Sequence, residues 1–168
     1  MSLKFQMRNT LLNTIGGGYW LPYKTRALYY NACGMSVHRT ARINAKNSFY
    51  GRRFTVGEHS FINYENFFDC TNEIHIGSNV WIGMRCSFVT STHEIGNEKQ
   101  RAGNTKDKPI VVEDGCWIGA NVTILPGVVI KKGTVIAAGS VVISSCDSDS
   151  VYAGIPARKV KELENHKS

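Results

Sequence analysis

The sequence predicts an all-β chain wound as a parallel β-helix with three flat faces, and three observations support this fold class. Between Val112 and Asp147 the chain repeats every six residues, as VEDGCW, IGANVT, ILPGVV, IKKGTV, IAAGSV and VISSCD. The first position of each hexapeptide is Val or Ile, and the fifth is small or β-branched. A period of six fits neither a helix nor an alternating strand, but is typical of short strands joined by tight turns. Three hexapeptides then close one coil of about eighteen residues, and successive coils stack about 4.8 Å apart.

The same frame recurs upstream of this segment. It reads IGSNVW and IGMRCS over residues 76–87, and more loosely VGEHSF and INYENF over residues 56–67. We therefore expect the β-helix to extend over residues 36–150.

One polar segment interrupts the repeat. The frame is lost over residues 93–109 and returns in phase, because Phe88 and Val112 are 24 residues apart, a multiple of six. The interrupting sequence, HEIGNEKQRAGNTKDK, is rich in Gly, Asn and Lys. We expect it to leave one corner of the coil as an exposed projecting loop, and loops of this length usually have a function.

The two ends of the chain lack the repeat. Residues 1–35 are predicted to form a helical cap, with one helix over residues 3–15 before three glycines and another over residues 23–33. The cap would cover the open strand edges of the first coil. A membrane-surface helix is the alternative for the first segment, but its cationic face is thin. Residues 151–168 are predicted to form a strand, a short helix and a tail.

Length and composition restrict the class of protein. The 168 residues fit one domain, and there is no apolar run of about twenty residues, so we expect no membrane span. The N-terminal segment lacks the apolar region and cleavage site of a secretory signal. Three of the five cysteines, Cys86, Cys116 and Cys146, occupy the fifth hexapeptide position and are expected in the core rather than in disulfides or metal sites. A reduced, cytoplasmic protein is the natural expectation.

The chain is basic. Twenty Lys and Arg against thirteen Asp and Glu give a formal charge of +7, which favours anionic partners. The basic residues are scattered and no nucleic-acid-binding motif is present, so we expect no nucleic acid partner.

Three segments, IGSNVWIGMRCSFVTSTHEIG, VVEDGCWIGANVTILPGVVI and VYAGIPARKV, resemble the hexapeptide-repeat acetyltransferases. The nearest members are galactoside, maltose and xenobiotic O-acetyltransferases and enzymes that acetylate surface polysaccharides. The resemblance covers about residues 56–160. It implies a left-handed β-helix, an exception to the usual right-handed crossover. It also implies a homotrimer, with active sites between subunits and acetyl-coenzyme A as donor.

The resemblance assigns the general base to His93, in VTSTHEIG at the start of the projecting loop. A neutral imidazole suits the removal of a proton from an acceptor hydroxyl as the oxygen attacks a thioester carbon. Either Glu94 or a backbone carbonyl could orient the second ring nitrogen. The alternative is an exposed loop histidine without a catalytic role.

The other histidines are weaker candidates. His75 lies eighteen residues before His93, so the two could stack on one edge and interact or hold a metal. Carbonic anhydrases of this fold bind zinc through three histidines, two of them close in sequence. No second histidine follows His93 in the loop, so we expect no metal. His38, His59 and His166 are expected at solvated positions.

The resemblance also supplies the remaining site residues. The acceptor side is assigned to Asn63, Asp69 and Trp117. The pantetheine arm of coenzyme A is assigned to the small residues Gly119, Ala138 and Gly139, and its phosphates to the basic residues Lys131, Lys132, Arg158 and Lys159. The alternatives are a turn-stabilising asparagine, a tryptophan covering a subunit surface and a solvated basic tail.

Together these features predict an acetyl-coenzyme A-dependent O-acetyltransferase that acetylates a hydroxyl of a sugar or polysaccharide precursor. An antibiotic-modifying acetyltransferase and an amino-sugar N-acetyltransferase are the alternatives among enzymes. A catalytically inactive β-helix that only binds or assembles is the non-enzymatic alternative.

Overall fold

The computed structural model describes residues 3–164 and consists of two helices followed by a coil of short strands. The helices are α1 (Leu3–Gly16) and α2 (Tyr23–Ala32). The strands are β1 (Ser36–Val37), β2 (Arg42–Ile43), β3 (Ser48–Tyr50), β4 (Phe54–Val56), β5 (Phe61–Ile62), β6 (Phe67–Asp69), β7 (Ile74–Ile76), β8 (Trp81–Ile82), β9 (Ser87–Val89), β10 (Ser91–Ile95), β11 (Ala102–Asp107), β12 (Ile110–Val112), β13 (Trp117–Ile118), β14 (Thr123–Ile124), β15 (Val129–Ile130), β16 (Val135–Ile136), β17 (Val141–Val142), β18 (Ser150–Gly154) and β19 (Ala157–Glu162).

Three parallel sheets form the faces of the coil, as predicted. Face A contains β1, β4, β7, β12 and β15, face B contains β2, β5, β8, β13, β16 and β18, and face C contains β3, β6, β9, β14 and β17. The chain passes from A to B to C and back to A in every coil, so we call the turns between faces corner AB, corner BC and corner CA.

The hexapeptide corresponds to one strand and one corner. Its first residue ends a strand and is buried, as Ile118 and Ile136 illustrate. Its fourth residue lies in the corner with a positive φ, which is 57° at Asn79, 58° at Asn121 and 74° at Gly139. Gly and Asn tolerate this left-handed conformation better than other residues, which explains their recurrence at the fourth position.

Coil length varies along the molecule. Val111 pairs with Val129, eighteen residues later, whereas Thr55 pairs with His75, twenty residues later. The longer coil has three-residue strands on both sides of corner CA, where β6 ends and β7 begins. Corner CA is therefore wider in the first coils than in the last ones.

Stacked side chains fill the interior. Phe49, Phe68 and Phe88 lie in register on face C, with ring centroids 5.0 and 4.8 Å apart and interplanar angles of 11° and 21°. All three are at most 1% exposed, and Ile124 and Val142 continue the stack. Along face C, one large apolar side chain of each coil therefore packs against the equivalent side chain of the next coil.

The three cysteines expected in the core are there. Cys86, Cys116 and Cys146 are at most 1% exposed and are free thiols. Burial raises the pKa of Cys86 and of Cys116 to about 11, so both stay protonated at neutral pH.

The two predicted helices are confirmed, and they cover the open end of the first coil. Arg26 of α2 is 2% exposed, and its guanidinium donates to the carbonyl oxygens of Gly16, Gly18, Leu21 and Ile43 at 2.7–2.8 Å. One buried side chain therefore ties the helix end, the linker and the first coil together. Neither helix within residues 3–164 has the length and apolar character to cross a bilayer.

The predicted C-terminal helix is wrong, because β18 and β19 form an antiparallel hairpin at the end of face B. The chain reverses through Ile155 and Pro156, directly after Gly154, whose φ is 101°. Strand β18 would otherwise present an unpaired edge, and β19 supplies the hydrogen-bond partners that a helix could not.

Candidate active site

The projecting segment is an antiparallel ribbon rather than an irregular loop. It consists of β10 and β11, in which Ser91 pairs with Asp107 and His93 with Thr105. The ribbon leaves the coil at corner CA, between β9 and β12. His93 is therefore two residues into an ordered strand, and its side chain is exposed.

The carboxylate of Asp69 holds the base of this ribbon. One oxygen accepts hydrogen bonds from the Ser91 hydroxyl at 2.5 Å, the Ser91 N–H at 2.9 Å and the Thr90 N–H at 3.2 Å. The other accepts from the Thr71 hydroxyl at 2.6 Å and the Thr71 N–H at 3.2 Å. Burial acts to raise the pKa of Asp69, but the bonds from Ser91 and Thr71 outweigh it, so the pKa lies below its ordinary value.

These five donors occupy both oxygens of Asp69, which is only 5% exposed. The arrangement favours a positioning role for Asp69 over the direct acceptor contact expected from the sequence.

The ring of His93 has a defined orientation. Its Nδ1 lies 2.9 Å from the carbonyl oxygen of Gly103 on the facing strand. A carbonyl can only accept a hydrogen bond, so Nδ1 carries the proton and Nε2 of the neutral ring has a free lone pair. Glu94 is engaged elsewhere, because it pairs with Lys106 at 3.0 Å, and the hydrogen bond from Lys106 lowers the pKa of Glu94. Of the two orienting groups expected, the structure has the backbone carbonyl.

The other histidines of residues 3–164 lie apart from this site. His75 is in β7 on face A, paired with Thr55 and Val111, so it shares no sheet with His93. His38 contacts the Thr40 hydroxyl at 2.9 Å, and His59 occupies a positive-φ corner. His166 lies outside the described residues.

No group of three or more His, Cys, Asp or Glu that could hold a metal occurs within residues 3–164.

Corner BC carries the small residues expected to face coenzyme A. A Cβ added at Gly119 would lie 2.5 Å from the Ala138 nitrogen, so only glycine lets the two coils approach there. A Cβ at Gly139 would meet nothing within 4 Å, and Ala138 and Gly139 are exposed. Asn63 is at the same corner, where its Oδ1 accepts from the Tyr64 N–H at 3.0 Å and from Asn44 at 3.3 Å.

Trp117 belongs to an aromatic ladder on the outside of face B. It pairs with Trp81, which pairs in turn with Phe61. Trp81 is 58% and Trp117 59% exposed. These three residues, which we call the face B ladder, form an apolar stripe across the coils.

The expected basic cluster is partly neutralised. Lys131 and Lys159 both approach Asp147, at 3.8 and 3.6 Å, and Lys159 also pairs with Glu162 at 2.7 Å. Lys132 is exposed at the same corner as Lys131. The other expected residue, Arg158, donates to the carbonyl of its neighbour Ala157 at 3.1 Å.

The expected site residues are spread over one protomer: Lys131 and Lys132 lie at corner AB, Arg158 and Lys159 lie in β19, and two further groups lie at the other corners. His93 and Asp69 lie at corner CA, whereas Asn63, Gly119 and Gly139 lie at corner BC. These corners are separated by face C, so a single chain does not bring the two groups together.

The sequence does not predict a cleft that the structure places at corner CA. It has a volume of 710 Å³ and is lined by Arg8 of α1 and by Arg52 and Arg53 of the corner, among others. We call it the arginine cleft. The only signal in the sequence is the Arg52-Arg53 pair at a corner, since Arg8 is distant along the chain.

Comparison with known proteins gives consistent matches. Residues 109–144 match the family described as bacterial transferase hexapeptide (six repeats). The chain is 30% identical over 116 residues to galactoside O-acetyltransferase of Escherichia coli K12, covering 69% of this chain and 57% of that protein. The chain thus spans less than two thirds of the length of that curated relative.

Solved structures match over nearly the whole chain. A hexapeptide-repeat-containing acetyltransferase of Vibrio cholerae O1 biovar eltor, complexed with acetyl-coenzyme A, is 30% identical. Its TM-score is 0.86, covering 96% of this chain and 88% of that one. A maltose O-acetyltransferase of Clostridium difficile 630 is 27% identical with a TM-score of 0.78, covering 98% and 90%. With its left-handed parallel β-helix and its hexapeptide repeats, the chain belongs to the hexapeptide-repeat acetyltransferase family.

Proposed function

We propose that this protein is an acetyl-coenzyme A-dependent O-acetyltransferase with His93 as its general base. The observation that carries the proposal is the 2.9 Å contact between His93 Nδ1 and the Gly103 carbonyl. It gives an exposed imidazole a fixed tautomer with Nε2 ready to accept a proton, as base catalysis requires.

In the proposed reaction, Nε2 of His93 takes the proton of an acceptor hydroxyl as its oxygen forms a bond to the acetyl carbonyl carbon. The carbon–sulfur bond of the thioester then breaks, and the imidazolium returns the proton to the leaving thiolate. No cysteine of residues 3–164 needs to act as nucleophile. Burial raises the pKa of Cys86 and of Cys116 to about 11, so neither thiol supplies the thiolate that a nucleophile requires.

Corner BC fits the donor. The open surface at Ala138 and Gly139 lets an extended pantetheine arm approach the backbone, and backbone N–H groups there can bond its amides. Lys131, Lys132, Arg158 and Lys159 would bind its phosphates, although Asp147 reduces the charge that Lys131 and Lys159 offer.

The active chain would be a homotrimer. His93 at corner CA and the donor residues at corner BC can meet only if one protomer's ribbon reaches another protomer. The face B ladder supplies an apolar surface for such contacts, since Trp81 and Trp117 are more than half exposed.

The acceptor would be a sugar hydroxyl, and the protein would act in the cytoplasm. The acceptor is supported by the galactoside and maltose enzymes among the similar proteins. The cytoplasm is supported by the cysteines, which are all unpaired.

Replacement of His93 by Ala tests the proposal. Thiol release from acetyl-coenzyme A with galactosides, maltose and nucleotide sugars as acceptors should fall by at least about 100-fold, the usual contribution of a general base. His75→Ala, which removes an exposed histidine of face A, is the matched control and should keep native activity. Full activity of His93→Ala, in a preparation of native oligomeric state, would reject the assignment.

A further inference from the structure

We propose that the arginine cleft binds the phosphate of a phosphorylated acceptor sugar, an inference that rests on the proposed acetyl transfer. The cleft lies at corner CA, between α1 and the first two coils, where the corner is widest. Arg8, Arg52 and Arg53 contribute its charge, and Phe5 and Tyr50 contribute an aromatic wall.

Within residues 3–164, none of the three guanidinium groups forms an ion pair with a carboxylate. Every ion pair found between residues 3 and 164 lies elsewhere on the molecule. Arg52 donates to the Cys33 carbonyl at 3.2 Å, and Arg53 to the Thr71 carbonyl at 2.9 Å. Because a guanidinium has five N–H donors, most donors of this pair are left for a ligand.

Arg8 strengthens the case for a ligand. Its Nε is buried and has no hydrogen-bond partner within the described chain. Burying a donor without a partner is unfavourable, and native proteins rarely leave one. Its guanidinium carbon lies 5.5 Å from the ring centroid of Phe5, which holds the charge against the cleft wall.

Phosphate is the anion that suits this set of donors. Guanidinium groups bind phosphate through paired N–H bonds, and three of them exceed what a single carboxylate can neutralise. The rings of Phe5 and Tyr50 meet edge to face, with centroids 5.3 Å apart. They offer an apolar surface against which the attached sugar ring can pack.

The cleft is physically joined to the base of the ribbon. Thr71 lines the cleft and donates to Asp69, and Asp69 in turn accepts from Ser91. His93 follows Ser91 by two residues of extended strand, or about 7 Å. A phosphate held in the cleft would therefore anchor the sugar near the ribbon and restrict the hydroxyl presented to the base.

Calorimetric titration of the full chain with glucose 1-phosphate and with glucose tests the site. The native protein should bind the phosphorylated sugar at least 10-fold more tightly, and Arg52→Ala/Arg53→Ala should lose most of this difference. Arg39→Ala, which removes an exposed arginine at corner AB, should keep it. Equal binding of the two sugars by the native protein, or an unchanged difference in the double variant, would overturn the proposal.

A variant that keeps both positive charges controls for loss of binding through misfolding. Arg52→Lys/Arg53→Lys should bind glucose 1-phosphate with intermediate affinity, since Lys keeps the charge but not the paired geometry. Affinity as low as in the alanine variant, with a native circular dichroism spectrum, would still support paired recognition. Native affinity in both double variants would count against the site.

Coenzyme A also carries phosphates, so the source of the anion needs its own comparison. If the cleft serves the acceptor, the preference for coenzyme A over 3′-dephospho-coenzyme A should be the same in the native protein and the alanine double variant. Loss of that preference would assign the cleft to the donor and overturn the proposal.

Binding in His93→Ala separates this inference from the proposed reaction. Native affinity for glucose 1-phosphate in that variant is expected, because the imidazole is not part of the cleft. If the native protein binds glucose 1-phosphate but transfers no acetyl group, the proposed reaction is rejected and the phosphate site is not.

Discussion

At the scale of single residues, the candidate site depends on two hydrogen-bonded side chains. The Gly103 carbonyl selects the His93 tautomer, and Asp69 fixes the strand that carries His93. In the proposed reaction neither partner transfers a proton, but both determine where Nε2 points. A displacement of about 1 Å at a reacting group is enough to cost about two orders of magnitude in rate.

Asp69→Asn should lower kcat with little change in the binding of coenzyme A, because it disturbs the base of the ribbon. It should also destabilise the fold by about 1–3 kcal/mol at pH 7, the cost of disrupting a buried hydrogen-bonded group. Asp114→Asn is the control, since Asp114 accepts one backbone hydrogen bond at an exposed corner. Steady-state kinetics and urea unfolding provide the measurements.

The stability difference should depend on pH. The folded pKa of Asp69 is depressed, so its carboxylate stabilises the fold above the ordinary aspartate pKa. That contribution is lost as the pH falls through the folded value, because the folded state must then take up a proton. The difference in the free energy of unfolding between the native protein and Asp69→Asn should therefore become smaller in acid. A difference that stays constant from pH 7 down to pH 3 would contradict this account.

At the scale of elements, each short strand is stabilised by the coils above and below it. Two-residue strands such as β13 and β14 have few hydrogen bonds of their own. Their stability comes from apolar side chains stacked in register, of which Phe49, Phe68 and Phe88 form the largest group. In repeat architectures each unit depends on its nearest neighbours in this way.

Phe68→Ala should destabilise the protein by about 3–5 kcal/mol, because it opens a cavity in the middle of the phenylalanine stack. Phe67→Ala is a matched control in the same strand, since Phe67 points outward and is 42% exposed. Chemical unfolding followed by circular dichroism measures both. Similar losses for the two variants would show that stacking does not dominate the stability of these coils.

At the scale of the whole molecule, the separation of corner CA from corner BC is the central fact. One protomer presents the proposed base at one corner and the proposed donor surface at another, and the face B ladder lies exposed. Self-association that covers the ladder would bury apolar surface and could complete the site at the same time.

Trp81→Lys should convert the proposed trimer into monomers and abolish acetyl transfer, because it places a charge in the middle of the ladder. Light scattering coupled to gel filtration measures the mass. Leu28→Lys, at a 64% exposed position of α2, should leave both assembly and activity unchanged. A Trp81→Lys protein that keeps the native mass would remove face B from the subunit contact.

The sequence by itself determined the coiled architecture, the helical cap and the ribbon's point of departure. The reason is that each depends on a local pattern: the six-residue period, the glycine run and the break that returns in phase. The buried positions of Cys86 and Cys116 follow from the same period.

Tertiary structure alone decided the rest. The C-terminal hairpin forms because an unpaired sheet edge needs a partner, which no local propensity in ARKVKE reveals. The Gly103 carbonyl that orients His93 comes from strand pairing across the ribbon. Three of the five donors around Asp69 belong to Thr90 and Ser91, more than twenty residues along the chain. The arginine cleft likewise joins Arg8 to Arg52 and Arg53 across more than forty residues of sequence, because α1 folds back over the widened corner.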